Sequence, residues 1–249
     1  MMRLAAAGVG LALIACSPSA ADAPMADQWA SVPLRVESLE VGAEVVGRLR
    51  FRGALALSST AEMFGGFSGI EVLDDGRLVA VTDNADWLEA RLVLDEQGAL
   101  VGLENARMAF MRDEQAVPFA SKVAGDAEAL AQLPDGRFAV AFEQSQPIRI
   151  YDLNRDGTFG AAAAGPVLAG AERLPGNAGL EALAADASGA LIIGAEGGGG
   201  RTPLWRVDPD AREPAARFGR YRLAPGFSLT GMDRLPDGGF VALERFYAP

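Results

Sequence analysis

Glu128-Ala-Leu-Ala-Gln-Leu-Pro-Asp-Gly136, continued by Arg137-Phe-Ala-Val-Ala-Phe-Glu143, is a short apolar run, a turn, and a second apolar run that closes on an acid. Asp-Gly supplies the positive φ that a tight turn needs, so the stretch predicts a β-hairpin. Three further stretches repeat the plan: Ser68-Gly-Ile-Glu-Val-Leu-Asp-Asp-Gly76 through Asp83, Glu181-Ala-Leu-Ala-Ala-Asp-Ala-Ser-Gly189 through Glu196, and Thr230-Gly-Met-Asp-Arg-Leu-Pro-Asp-Gly238 through Glu244. In every copy the first polar residue lies eight positions before the turn Gly. The closing acid lies seven positions after it in three copies and six after it in the fourth.

More strand-like sequence follows the first three hairpins, at Arg91-Leu-Val-Leu-Asp95, Arg149-Ile-Tyr-Asp152 and Leu204-Trp-Arg-Val-Asp208. Each unit has room for about four strands, and the units start 60, 53 and 49 residues apart. That period is the signature of propeller blades. A helical solenoid would need an apolar 3.6-residue period that no segment sustains, and a β-sandwich would not repeat an acid at a fixed offset. The expected fold class is therefore all-β, a β-propeller with four recognisable blades of an incomplete larger ring. The segment from Pro33 to Ser58 is expected to add one or two strands that close the ring from the N-terminal side.

The first residues read as an export signal. Arg3 is followed by the uncharged run Leu4–Ala15, too short to span a bilayer, and Leu13-Ile14-Ala15-Cys16 resembles a bacterial lipobox. The expected layout is a leader over 1–15, a lipidated Cys16 with a small, polar, Pro-containing tether over 16–31, and the propeller over 32–249. Lipid attachment at Cys16 and Ser17 after it suggest a cell-envelope protein on the periplasmic face of the outer membrane, touching the membrane through its anchor alone. Cys16 is the only cysteine, so the fold stands without disulfides. A net charge of −11, with no long basic run, argues against nucleic acid as a partner.

Across a hairpin, residues equidistant from the turn meet at the same end. This brings Ser68 near Asp83, Glu128 near Glu143, Glu181 near Glu196 and Thr230 near Glu244, all at one mouth of the channel, with Asp126 and Asn84 beside them. Asp83, Glu128, Glu143, Glu181, Glu196 and Glu244 would repel one another there unless a cation, protons or a cationic ligand joined them. The chain has no histidine, so nitrogen- or sulfur-ligated zinc or copper is set aside, and calcium, with magnesium second, suits an all-oxygen site. Missing histidine also removes a Ser-His-Asp triad, and the Gly197–Gly200 run lacks the Lys of a phosphate loop. Hydrolysis would then need a carboxylate or metal-bound water, with Ser68, Asn84 and Asp126 near the substrate and Arg91, Arg201 or Arg245 available to hold an anion. For any single acid, a solvated strand end is the simpler reading; the recurrence of the set is what points to a site.

Gly65-Gly-Phe-Ser-Gly-Ile70 with Thr82-Asp-Asn84, then Asp126-Ala-Glu-Ala-Leu130, Phe142-Glu-Gln144, Asn177-Ala-Gly-Leu-Glu-Ala182 and Leu243-Glu-Arg245, stand in an order that resembles the phytase-like β-propeller proteins described as having "esterase-like activity of phytase". The resemblance runs from about Phe64 to the end. It implies a periplasmic propeller, a small-molecule phosphoester or simple ester as substrate, and calcium bridging acidic side chains and substrate phosphate. It also implies a further acidic strand pair, so the propeller reads as truncated. Two other functions fit the same residues: a metal-dependent lactonase similar to the gluconolactonase propellers, and a non-catalytic envelope module that holds a ligand at the mouth.

Overall fold

The computed structural model describes residues 28–42, 44–143, 148–174, 179–197 and 200–246. The expected leader, Cys16, most of the tether, Gln144 and Asn177 lie outside the described residues. Each predicted hairpin forms, and each is the inner part of an antiparallel sheet. Blade 1 consists of β6 (Phe67–Val72), β7 (Arg77–Thr82), β8 (Asp86–Leu94) and β9 (Leu100–Phe110), with β1 (Ala30–Ser31) added at its outer edge. Blade 2 consists of β10 (Ala127–Gln132), β11 (Phe138–Phe142), β12 (Ile148–Tyr151) and β13 (Ala163–Ala164). Blade 3 holds β14 (Ala182–Ala185), β15 (Leu191–Gly194), β16 (Arg201–Val207) and β17 (Arg217–Arg222); blade 4 holds only β18 (Phe227–Arg234) and β19 (Phe240–Phe246).

The turns explain why the register is so regular. Gly76, Gly136, Gly189 and Gly238 all have φ between 81° and 87°, where a side chain would be strained. Each turn also closes with the same pair of backbone hydrogen bonds, for example Gly76 N to Leu73 O at 2.9 Å and Leu73 N to Arg77 O at 2.8 Å. Innermost strands β6, β10, β14 and β18 follow one another side by side, which gives the blades a common axis.

Strand alternation then builds the core between blades rather than inside any one sheet. Along β7, Val79 and Val81 face blade 2, where they meet Phe138, Val140 and Phe142, with the Trp87 ring edge-on to Tyr151 at 5.2 Å. On the far side of blade 2, the small Ala139 and Ala141 let Leu183, Leu191, Ile193 and Trp205 of blade 3 pack closely. Fully burying one such large side chain stabilises the fold by about 1.5–3 kcal/mol. Leu229 joins blade 4 to Ala182 and Leu223 of blade 3.

Two expectations are corrected. The N-terminal segment does not complete blade 4: β2 (Leu34–Ser38) pairs with β5 (Leu55–Ser59), the short β3 (Val45–Val46) pairs with β4 (Leu49–Arg50), and the β18–β19 sheet stays two-stranded. The reason is apolar. Leu34, Leu55, Met63 and Phe64 cover Leu78, Ala80 and Leu88 on the outer face of blade 1, a surface that would otherwise meet water. The tether is also shorter than expected, because Ala30–Ser31 pairs with β9, Trp29 packs against the blade 1–2 core, and Gln28 N donates to Thr158 Oγ1 at 3.1 Å. Among the described residues no helix is long and apolar enough to cross a membrane.

Candidate functional site

A β-bulge sits at the same place in each inner strand. The register slips by one residue around Ser68, Glu128 and Thr230. Around Glu181 the same slip follows from Ala182 pairing with Gly194 while Glu196 N donates to Gly179 O at 3.0 Å. A bulge turns its extra residue out of the alternation of the strand. Here it turns all four towards one space: Ser68, Glu128, Glu181 and Thr230 line a single cavity of about 520 Å³, together with Asp83, Glu244 and Arg245. The recurrent polar residue eight positions before each turn is thus the bulge residue.

The acids gather most tightly on the hairpin of blade 2, with Glu181 of blade 3 close enough to add its charge. Asp126, Glu128 and Glu143 each offer a carboxylate oxygen within 4.8 Å of the others. Burial, and then the charges of Glu181, Asp126 and Glu143, push the Glu128 carboxyl up to about 8. Burial and then Glu196 likewise raise Glu181 to about 7, against the lowering effect of Arg245. Gly66 explains how Asp83 fits: its φ is 63°, and a Cβ there would stand 2.1 Å from Asp83 Oδ1. That oxygen is buried without a hydrogen bond, while Asp83 Oδ2 takes Lys122 Nζ at 2.6 Å.

Residues 62–249 match the family model "Phytase-like: Esterase-like activity of phytase". The chain belongs to this phytase-like family. Comparison with curated proteins gives no match. Among solved structures, the phytase-like chain is similar to a streptogramin B lyase at 13% identity and a TM-score of 0.41, covering 84% of this chain and 52% of that one. It is similar to the β-propeller domain of Myceliophteria thermophila Cps50 (Swd1) at 14% identity and a TM-score of 0.41, covering 81% and 62%. The chain thus spans about half to two-thirds of the length of these structures.

Several residues named from the sequence fall elsewhere, and two that do reach the cavity, Ser68 and Glu244, are already engaged in bonds between blades. In blade 4, Leu229 pairs with Glu244 as Phe67 pairs with Thr82 and Ala127 with Phe142. The position equivalent to Asp83 and Glu143 is therefore Arg245, and Glu244, one residue before it, reaches the cavity edge from the position equivalent to Thr82 and Phe142. There its two oxygens accept from Tyr221 Oη at 2.8 Å and Ala224 N at 2.9 Å, tying blade 4 to blade 3. Arg245 instead approaches Glu196 at 3.9 Å, so the repeated acid position carries a cation in its last copy. Arg91 is at the wrong end of its blade: opposite Arg77, it donates to Asp75 O at the turn. Arg201 heads β16 opposite Arg222, exposed and away from the cavity wall. Asn84 is exposed in the turn after β7, its backbone N donating to Thr82 Oγ1. Ser68 Oγ donates to Ala127 O and so pins blade 1 to blade 2.

Three titratable groups were missed. Asp86 heads β8, is buried, and has its carboxyl raised to about 6 by burial, with Asp83 adding to the shift. Glu71, raised to about 7 mainly by burial, accepts from Gln132 N of the next blade at 3.0 Å. Both read in the sequence as ordinary strand residues. Lys122, by contrast, carried a signal: it is the only lysine in the chain, every other cation being arginine.

Proposed function

We propose that the acidic mouth is a divalent-cation site, calcium first and magnesium second, at which this phytase-like chain hydrolyses phosphoesters or simple esters. One observation carries the reading: oxygens of Asp126, Glu128 and Glu143, from an inner-strand start, a bulge and a hairpin end, converge within 4.8 Å beside an open cavity. An all-carboxylate set matches a hard cation that takes oxygen ligands. Burial and mutual repulsion raise Glu128 and Glu181, which makes a bound cation the arrangement that stabilises their charged forms.

Asp126, Glu128 and Glu143 would hold the ion, with Asp83 and Glu181 beside them. When bound, such an ion polarises a phosphoryl or carbonyl oxygen as a Lewis acid. Arg245, at the cavity wall, would face an anionic part of the substrate. Ser68, whose hydroxyl is spent on Ala127 O, serves the scaffold and not as nucleophile. A carboxyl held near neutrality, as at Glu128 before a cation binds, can keep a proton at the mouth. We also propose export through the leader and anchoring through Cys16, on the lipobox-like sequence alone.

The test is to assay the purified chain on a phosphomonoester and a short acyl ester with calcium and after chelation. Turnover that falls on chelation and returns with calcium is expected. Turnover indifferent to chelator, or none on either ester with calcium present, contradicts the proposal.

A further inference from the structure

Lys122 brings a cation to the most acidic part of the mouth. It opens the short helix α1 (Lys122–Gly125), whose start is fixed by Ser121 accepting from Ala124 N at 3.3 Å. From there Nζ reaches Asp83 Oδ2 at 2.6 Å, Asp83 O at 3.3 Å and Asp126 Oδ1 at 3.1 Å. It therefore links the end of the blade 1 hairpin to the start of blade 2, and it neutralises one member of the convergent Asp126–Glu128–Glu143 set.

The choice of residue matters because all other cations in the chain are arginine. Arginine presents a rigid planar fork that holds carboxylates in fixed directions, as Arg137 holds Asp135 and Asp210, whereas an ammonium is a compact point charge on a flexible stem. Its side chain is 52% exposed, whereas that of Asp126 is 9% exposed. A half-exposed ion pair is weak and readily exchanged. Asp83, at 35%, is also less exposed than the ammonium, so Lys122 is the partner freest to leave.

We propose that Lys122 is a tethered counter-ion that competes with the divalent cation for Asp83 and Asp126, and so sets how tightly the mouth binds that cation. The inference rests on the cation-site reading above. When the ion enters, like charge drives the ammonium out; when the ion leaves, Lys122 returns and keeps the acids together.

Because there is one lysine, an amine-acetylating reagent followed by peptide mass spectrometry reports on it alone, the N-terminal amine falling in a different peptide. Calcium is expected to raise the acetylation rate of Lys122 several-fold in the unaltered protein. In calorimetric titration, Lys122→Met is expected to bind calcium about tenfold more tightly than the unaltered protein, the size of effect that removing one nearby, half-screened charge produces. Equal calcium affinities, with acetylation unchanged by calcium, would overturn the competition and leave the cation site standing. No calcium binding to either protein would overturn the cation site itself, and the inference with it.

Discussion

The seam between blades 1 and 2 and the free side of blade 4 are built from the same hairpin, yet they end differently. At the seam, Val79 and Val81 are buried against Phe138, Val140 and Phe142, and Asp83 at the strand end is met by Lys122. On blade 4 the equivalent Val241 and Leu243 are exposed, and the equivalent of Asp83 is Arg245. A repeat thus dictates a backbone and a pattern of faces, while the neighbour decides whether a face becomes core. The acid position behaves likewise: it is acidic in the three copies that face another blade and cationic in the copy that does not.

The largest effect should come from cutting into the seam. Trp87→Ala removes a fully buried ring and is expected to cost about 3–5 kcal/mol in urea unfolding, whereas Leu243→Ala, at an exposed position, should stay within about 0.5 kcal/mol. Equal losses would break the contrast between the two regions.

Next comes the charge of the mouth. A carboxyl whose folded pKa is raised is a penalty on the native state that is absent below its unfolded value of 4.5, grows with pH, and is complete above about 8. Without calcium, stability should therefore fall as pH climbs through that window, and Glu128→Gln should flatten the fall by about 1–2 kcal/mol after allowance for solvent screening. A pH series of denaturant midpoints measures it.

A smaller loss tests the one-residue correction in blade 4. Glu244→Gln weakens the charge-assisted bonds to Tyr221 and Ala224, so about 1 kcal/mol of stability should go while calcium affinity stays unchanged. A Glu244→Gln protein with weakened calcium binding would return Glu244 to the acid set. Smallest of all, Arg91→Ala should alter stability by no more than about 0.5 kcal/mol and leave KM for an anionic ester unchanged, since Arg91 sits at the turn end of its blade.

Much of this was legible in the sequence because turns and alternation are local. Turn glycines at fixed offsets, preceded by Asp in three copies and by Ser188 in the other, gave the four hairpins, and the polar residue eight positions before each turn Gly marked what proved to be a bulge. The bulge itself was not legible, since one extra residue in a strand looks like any other until its partner strand is known. That is why Glu244 was counted with Asp83: the fourth copy is one residue short between turn and acid, so its acid stands at the position of Thr82 and not of Asp83. Where the segment before blade 1 docks depended on which apolar face lay nearest, a tertiary fact. Asp86 and Glu71 owe their shifted titration to burial, which alternation alone does not report. Lys122 could have been found by composition, as the lone lysine among arginines.

The most direct test is thermal melting of the unaltered protein and of the Glu128→Gln, Glu181→Gln double variant, each with and without calcium. If acids from separate blades share one cation, the double variant melts higher than the unaltered protein when calcium is absent, and calcium raises the Tm of the unaltered protein alone. Calcium that shifts neither protein, or shifts both equally, would contradict it.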